Sequence, residues 1–170
     1  MDLRDIFRFV APEVREAAIK TAAQLDHLGI RYALAGGLAV GAHGYVRATT
    51  DVDFLVGDEA FERQGLLVAF KAGVPIEVDG IRIDYLSPGA LGPQLEEVLN
   101  HPTRSEGLAV LPVEALIYLK LVAKRRKDLV DVIEVVKAGA DVNRVRKYLE
   151  QHADDLLPVF EELVSEALAE

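Results

Sequence analysis

Cysteine is absent from this sequence of 170 residues, and histidine occurs only four times. A chain without cysteine forms no disulfide, has no thiolate nucleophile and builds no cysteine-ligated zinc site. His43 and His101 each stand without a partner at the spacing of metal ligands, and we take neither as a site residue. Any metal ion must therefore be held by oxygen or histidine ligands.

Long apolar runs are missing as well. No segment approaches the ~20 apolar residues needed to cross a bilayer. The N-terminal stretch MDLRDIFRFVAPEVRE is interrupted by charges, unlike a secretory signal. We therefore expect a cytoplasmic protein that does not associate with membranes.

An excess of positive charge is also lacking, because 28 aspartates and glutamates outnumber 19 lysines and arginines and give a formal net charge of −9. Such a chain is not expected to coat nucleic acid along a broad surface. A local basic patch remains compatible with this composition. The charged run KRRKD, Lys124–Asp128, is either a solvated helix face or a phosphate or RNA contact.

The apolar pattern predicts an α/β fold. Positions spaced as in an amphipathic helix run from Ala11 to Leu28, and from Val113 onward the pattern is helical, with breaks near Gly139 and Pro158. Between these regions we expect strands at Ile30–Leu34, in TTDVDFLVG, at Pro75–Val78, at Ile81–Leu86 and in EGLAVLP, and helices at Leu38–His43, at Glu59–Ala72 and late in SPGALGPQLEEVLNHP.

These elements predict a small mixed β-sheet with helices packed on it, followed by a C-terminal helical region. The chain is long enough to bury a hydrophobic core by itself. We place the boundary where the strand signals stop, so that residues 1–111 form the core and residues 112–170 form the helical region packed on it.

The segment LAGGLAVGAHGYVRATTDVDFLV joins a glycine pair to two aspartates. Gly36 and Gly37 lie between a predicted strand and a predicted helix, where bare backbone can approach a ligand closely and exposed amides favour phosphate. Asp51 and Asp53 alternate with apolar residues, so they share one face of a strand. The combination of a phosphate-binding turn and an Asp-x-Asp strand is more informative than either part alone.

Two carboxylates one residue apart on a strand repel each other unless a cation lies between them. Oxygen ligands suit Mg²⁺, and a third carboxylate from a neighbouring strand, Asp84, would complete a site for two ions, with Mn²⁺ also possible. The alternatives are that Asp51 and Asp53 lie on a solvated strand face and that Asp84 pairs with an arginine, Arg82 or Arg31.

The order of these residues resembles a known superfamily. Gly36-Gly37, then Asp51-Val52-Asp53, then Asp84 is the pattern of the nucleotidyltransferases whose catalytic core is shared with DNA polymerase beta. With LIYLKLVAKRRKDLVDV, the sequence is similar to bacterial nucleotidyltransferase-like proteins grouped with the toxin half of abortive-infection (AbiEii-type) systems and to their small stand-alone relatives. The resemblance covers about Ala33 to Val135.

This resemblance implies a role for each residue of the pattern. Gly36 and Gly37 contact the nucleotide triphosphate, and Asp51 and Asp53 hold both metal ions. Asp84 binds one ion and acts as, or orients, the base that activates the acceptor hydroxyl. Residues 1–111 are then the catalytic core.

Further positions follow from the same resemblance. Arg47 and Thr50 correspond to a basic residue and a hydroxyl just ahead of the aspartates, and Lys120 and Asp128 correspond to positions on later helices that face the nucleotide. Many relatives have serine where Gly37 stands, so one hydroxyl contact to phosphate is missing here.

The implied reaction moves a nucleoside monophosphate from a nucleoside triphosphate, such as ATP, to an acceptor hydroxyl and releases pyrophosphate. The alternative from another class is a protein that keeps the fold and acts as a binding or regulatory partner, for example in a toxin–antitoxin pair. A metal-dependent phosphohydrolase is disfavoured because such sites usually recruit histidines.

The acceptor stays open, with a tRNA end, a protein hydroxyl and a small molecule all compatible with the sequence. The C-terminal helices either complete the core or form a contact in a homodimer or with a partner protein. The sequence selects neither the acceptor nor the oligomeric state.

Overall fold

The structure, a computed structural model, describes residues 3–62 and 76–169. Its centre is a six-stranded sheet with the strand order β3-β4-β2-β1-β6-β5. The strands are β1 Tyr32–Leu34, β2 Asp51–Val56, β3 Ile76–Val78, β4 Ile81–Leu86, β5 Thr103–Ser105 and β6 Leu108–Val110. The β2–β4 and β1–β6 pairs are parallel and the others are antiparallel, which confirms the predicted mixed sheet in an α/β fold.

Ten helices surround this sheet within the described residues. They are α1 Leu3–Ile6, α2 Pro12–His27, α3 Gly36–Ala42, α4 Glu59–Glu62, α5 Pro88–Leu91, α6 Leu95–Asn100, α7 Val113–Ala123, α8 Arg126–Lys137, α9 Val142–His152 and α10 Leu157–Ala169, with a 3₁₀ turn at Asp154–Leu156. None of the helices in this described part combines the length and apolar character of a membrane span.

The central strand β2 follows the period of two that its sequence predicts. Val52 and Phe54 are fully buried, while Asp51 and Asp53 on the opposite face are partly exposed. Phe54 stacks on Tyr85 of β4, with ring centroids 6.3 Å apart. The apolar face therefore fixes which way the two carboxylates point.

The local predictions for the first half of the chain are largely confirmed. Helix α2 occupies the predicted amphipathic segment, and the Asp79-Gly80 turn that joins β3 to β4 has positive φ at both residues, as a tight hairpin turn requires. Helix α3 begins at Gly36 rather than Leu38, so both glycines lie in its first turn. Strand β5 was not predicted, because Thr103–Ser105 is short and polar at an edge of the sheet.

Part of one prediction lies outside the described residues. The helix expected at Glu59–Ala72 is observed over Glu59–Glu62, and residues 63–75 are not described. The strand expected from Pro75 is described from Ile76 onward.

The C-terminal helices break where predicted and at one further position. Gly139, with φ of 99°, follows α8, and Pro158 lies in the first turn of α10. The unpredicted break is at Lys124, which ends α7 in the left-handed conformation with φ of 53°. The Asp128 carboxylate then stabilises the start of α8 by accepting hydrogen bonds from the backbone N–H and the guanidinium of Arg125. Charged helix formers surround this break, so propensity gave no signal of it.

The left-handed residue at this break gives a prediction for stability. Lys124→Gly should stabilise the protein by about 0.5 kcal/mol, because glycine adopts positive φ without the steric cost that a side chain carries. Equilibrium unfolding in urea measures the change.

The matched control for this substitution is Lys147→Gly, at an exposed position inside α9. There glycine should cost about 1 kcal/mol relative to a good helix former. Equal destabilisation by both substitutions would show that Lys124 does not end a helix in the left-handed conformation.

Candidate functional site

Three carboxylates meet on one face of the sheet. The parallel register of β2 and β4 sets Asp53 beside Asp84 and Asp51 beside Arg82. One ligand oxygen from each of Asp51, Asp53 and Asp84 lies within 4.8 Å of the others, so this acidic triad could hold a metal ion. The arrangement follows from two period-two strands whose apolar faces are buried in the same core.

The triad carries more negative charge than its surroundings balance. Burial, followed by the charges of Asp51 and Asp84, raises the pKa of Asp53 from 3.8 to about 6. Lys120 and Lys127 act in the opposite direction, although they do not cancel the rise. A further cation at this position would relieve the repulsion directly.

Asp84 also forms the arginine pair that the sequence left open as an alternative. Arg82 Nε and Nη2 donate to the Asp84 carboxylate at 3.0 and 3.2 Å, and the Arg82 side chain is 62% exposed. Exposed pairs of this kind contribute about 0.2–1 kcal/mol, so the contact does not remove Asp84 from the triad. Arg31 lies elsewhere and binds Glu59 and Glu96.

The first glycine of the pair, Gly36, lies directly against one of these carboxylates. Gly36 has φ of 57°, and a Cβ at this residue would lie 1.8 Å from Asp53 Oδ2. The Ala35 amide also donates to the Asp53 carbonyl at 2.8 Å. Helix α3 has only seven residues. The glycine turn at its start contributes bare backbone, which approaches the triad because it has no side chain.

Gly37 faces a different neighbour. A Cβ at Gly37 would lie 2.5 Å from Thr49 Oγ1 and 3.3 Å from Arg47 Nη1. Thr49 is buried, whereas the predicted site residue Thr50 is exposed. A threonine hydroxyl therefore lies where a side chain at position 37 would begin.

A cleft of about 270 Å³ opens over the triad. It is lined by Ala35, Gly36, Gly37, Arg47, Asp51, Asp53, Arg82, Asp84, Leu86, Leu91, Leu116, Leu119, Lys120, Val122, Ala123, Arg125, Lys127 and Asp128. Every predicted site residue except Thr50 is in this set. The sheet contributes the acidic triad and Arg82. Lys120 of α7, Lys127 of α8 and Arg125 between these helices are three of the five lining cations.

The helical wall of the cleft contains a chain of alternating charges. Lys120 Nζ donates to Asp128 at 3.0 Å and to Asp131 at 2.7 Å. Arg47 donates to both oxygens of Asp131, at 2.7 and 2.9 Å, and Arg125 Nε donates to Asp128 at 2.7 Å. The turn at residue 124 makes this possible, because it folds α8 back so that residues of α7 and α8 meet.

Hydrogen bonds decide the ionisation of the buried members of this chain. Burial opposes ionisation of Asp128, but the bonds from Arg125 and Lys120 hold its pKa below the usual value. The bond to Asp131, opposed by burial, raises the pKa of Arg47. Asp128 therefore stays negative and Arg47 stays positive near neutral pH.

Sequence reasoning named Lys120 and Asp128 but missed Asp131. Asp131 follows Asp128 by three residues on α8, which puts both on one helix face, and this spacing in KDLVD was the available signal. Its contact with Arg47 could not be read, because the two residues lie 84 positions apart.

Comparison with known proteins finds likeness to solved structures. No family model matches the chain, and no curated protein does either. The solved structure of an antigenic nucleotidyltransferase-like protein from Paracoccidioides brasiliensis is similar, with a TM-score of 0.47 and 14% sequence identity. The likeness covers 89% of this chain and 93% of that chain. A likeness this weak carries no inference about the function of this chain.

The raised pKa of Asp53 gives a prediction for stability against pH. The folded protein binds a proton at Asp53 up to about pH 6, whereas the unfolded chain loses it near 3.8, so the wild type loses stability as pH rises between these values. Asp53→Asn does not lose stability in this way, because asparagine does not titrate. At pH 7.5 without divalent ions it should exceed the wild type by at most about 3 kcal/mol, at 1.36 kcal/mol per pKa unit.

Thermal and urea unfolding between pH 4 and pH 8 measure this difference, which should vanish near pH 4. Excess Mg²⁺ should then stabilise the wild type more than Asp53→Asn. Asp79→Asn, in the exposed hairpin turn, is the matched control and should change neither result. A pH-independent difference between Asp53→Asn and wild type would contradict the electrostatic account of the triad.

The close approach of Gly37 to Thr49 gives a prediction for stability. Its sign is opposite to the one that helix propensity alone predicts. Gly37→Ala should destabilise the protein by about 1–3 kcal/mol, because the new methyl group overpacks against Thr49. In an uncrowded helix the same substitution would stabilise by about 1 kcal/mol.

The double variant Gly37→Ala with Thr49→Ala should recover much of this loss, since it removes the crowding atoms. Urea unfolding of the two single variants and the double variant measures the coupling. Additive losses would show that the two positions are not in contact.

Proposed function

We propose that this protein is a metal-dependent nucleotidyltransferase that moves a nucleoside monophosphate from a nucleoside triphosphate to an acceptor hydroxyl. The observation that carries the proposal is the convergence of Asp51, Asp53 and Asp84 beside a side-chain-free glycine turn in one cleft. The sequence resemblance to the nucleotidyltransferase superfamily points to the same reaction. ATP is the first candidate for the donor.

The donor set of the triad fits divalent magnesium. Three carboxylates supply hard oxygen ligands. Burial, followed by the charges of Asp51 and Asp84, raises the pKa of Asp53, and a cation would offset the part that comes from these charges. Ions bound there would stabilise charge on the attacking and leaving oxygens of phosphoryl transfer. Mn²⁺ has similar ligand preferences and is expected to substitute for Mg²⁺.

The residues of the chain take separate roles in this proposal. Asp51 and Asp53 hold the ions, and Asp84, on the neighbouring strand, also orients the acceptor hydroxyl or accepts its proton. Gly36 and Gly37 let the triphosphate approach the backbone beside the triad. The acceptor oxygen forms a bond to the α-phosphorus, and the bond from that phosphorus to pyrophosphate breaks, so that pyrophosphate leaves.

The cations of the helical wall suit the phosphates. Arg47, Lys120 and Arg125 carry three positive charges, and their carboxylate partners Asp128 and Asp131 carry two negative charges. Lys127 also lines the cleft, so the wall has an excess of two positive charges opposite the acidic triad. We propose nucleotide contacts for Arg47 and Lys120, while Asp128 acts by holding Lys120.

Two threonines lie near the glycine turn. Thr49 Oγ1 lies beside Gly37, where a serine side chain would begin, but Thr49 is buried and does not line the cleft. The resemblance offers Thr50 as a nucleotide contact. We keep Thr50 in that proposed role, because it is exposed ahead of Asp51.

The proposal divides the chain as the sequence analysis does. Residues 1–111 form a catalytic core with the triad, and residues 112–170 form a helical region whose first helices wall the cleft. We propose a tRNA end, a protein hydroxyl or a small molecule as the acceptor and a cytoplasmic location, with a toxin–antitoxin setting for the rival function.

Transfer of label tests the proposed reaction. Purified protein with Mg²⁺, each α-³²P-labelled nucleoside triphosphate and a cell extract should label one class of acceptor. Asp51→Asn and Asp53→Asn should each lower the rate by about 100- to 1000-fold, since losing a metal ligand costs several kcal/mol of transition-state stabilisation. Gel and thin-layer separation identify the labelled product.

Asp79→Asn is again the matched control and should transfer label at the wild-type rate. Undiminished transfer by Asp53→Asn would refute the proposal. Calorimetry with Mg²⁺ and each nucleoside triphosphate separates the rival function, since absence of any detectable binding favours a binding or regulatory partner that keeps the fold.

A further inference from the structure

We propose that Asp131 is a positioning residue that aims Arg47 and Lys120 at the phosphates of the nucleotide. This inference rests on the proposed function and goes beyond it, because no metal or nucleotide role is assigned to Asp131 itself. Asp131 contacts both cations and does not line the cleft. It therefore acts through its two partners.

The burial of this carboxylate requires a reason other than stability. Asp131 is 1% exposed, Asp128 is fully buried and Lys120 is 6% exposed. Burying ion pairs contributes little net stability, because the desolvation cost offsets most of the attraction. Apolar side chains would fill this space between α7 and α8 at least as well. These buried charges lie next to the cleft, where they can position the cations that face a ligand.

The geometry of Arg47 shows how the positioning works. Asp131 binds the Nε and Nη2 edge of the guanidinium at 2.7 and 2.9 Å, and this fork fixes the guanidinium plane. The other nitrogen, Nη1, lies 3.3 Å from the position of a Cβ at Gly37. The guanidinium thus extends from α8 to the glycine turn, with Nη1 at the end nearest the proposed phosphate site.

Lys120 is held in a similar way. An ammonium group has three N–H donors, and two of them go to Asp128 at 3.0 Å and Asp131 at 2.7 Å. One donor remains for a ligand in the cleft that Lys120 lines. Asp131 therefore links the segment before β2, through Arg47, to α7, through Lys120.

Electrostatics alone gives the opposite expectation for removal of this carboxylate. Asp131→Asn deletes a negative charge beside the proposed phosphate site, so an unchanged arrangement of cations would bind a polyanion more tightly. Loss of positioning makes binding weaker instead, because Arg47 loses its charged fork and Lys120 loses one of two anchors. The sign of the change therefore separates the two accounts.

The experiment measures the Kd for MgATP by calorimetry in wild type and Asp131→Asn. We expect about 10-fold weaker binding, because small displacements of positioned groups are costly. Affinity for Mn²⁺ alone, followed by electron paramagnetic resonance, should stay within about 2-fold of wild type, because the hydrogen bonds of Asp131 go to Arg47 and Lys120 and not to the triad. MgATP binding as tight as, or tighter than, wild type would overturn the inference.

A double-mutant cycle tests whether Asp131 acts through Arg47. The effect of Asp131→Asn on the Kd should be clearly smaller in an Arg47→Gln background than in the wild-type background. A purely structural role would give equal effects in the two backgrounds, and that result would overturn the positioning role.

Arg47→Lys keeps the test decisive if Asp131→Asn does not fold. Lysine preserves the charge but cannot form the two-point fork, and Asp131 keeps Lys120 as a partner. We expect Arg47→Lys to bind MgATP several-fold more weakly than wild type. With Mn²⁺ bound at the triad, its unfolding midpoint should equal that of wild type. Wild-type affinity in Arg47→Lys would show that aiming is not required.

The matched control breaks an equivalent fork outside the cleft. Arg146 binds Glu161 through two bonds of 2.6 and 3.1 Å between α9 and α10, and neither residue lines the cleft. Glu161→Gln should leave the Kd for MgATP unchanged. If wild type itself does not bind MgATP, the proposed function fails first; if wild type binds and Asp131→Asn binds equally well, only the present inference fails.

Discussion

The repulsion among three carboxylates on neighbouring strands is the constraint on which the rest of this site depends. The parallel register of β2 and β4 puts Asp53 beside Asp84, and the packing of Phe54 on Tyr85 on the other face holds that register. Burial of the apolar face thus forces like charges together. Burial of Asp53 and, after it, the charges of Asp51 and Asp84 raise the pKa of Asp53, so a cation would be a favourable partner of the triad.

The cleft separates its charges between two structural layers. The sheet presents the acidic triad. Helices α7 and α8, the junction between them and the segment before β2 present a wall on which four cations, Arg47, Lys120, Arg125 and Lys127, outnumber two carboxylates. A ligand that carries phosphates and comes with divalent ions would complement both layers at once. The glycine turn contributes backbone without side chains between them, and Gly36 in particular leaves no room for one beside Asp53.

The helical wall depends on the turn at Lys124 between α7 and α8, which the local sequence does not predict. Lys124 adopts the left-handed conformation within a run of charged helix formers, and hydrogen bonds from Arg125 to Asp128 stabilise the start of α8. An unbroken helix would carry Lys120 and Asp131 apart along its axis. The break brings them within 2.7 Å, and the contact with Arg47 then ties this wall to the segment before β2.

The sequence by itself determined the α/β class, the amphipathic α2, the hairpin at Asp79 and the shared face of Asp51 and Asp53, because each follows from periodicity or turn chemistry within a short window. Only the tertiary structure decided that Asp84 joins that face, that Thr49 rather than Thr50 lies beside the glycine turn, and that Asp131 bridges two cations. These contacts join residues distant in the chain or depend on strand register and a helix break, which local patterns do not encode.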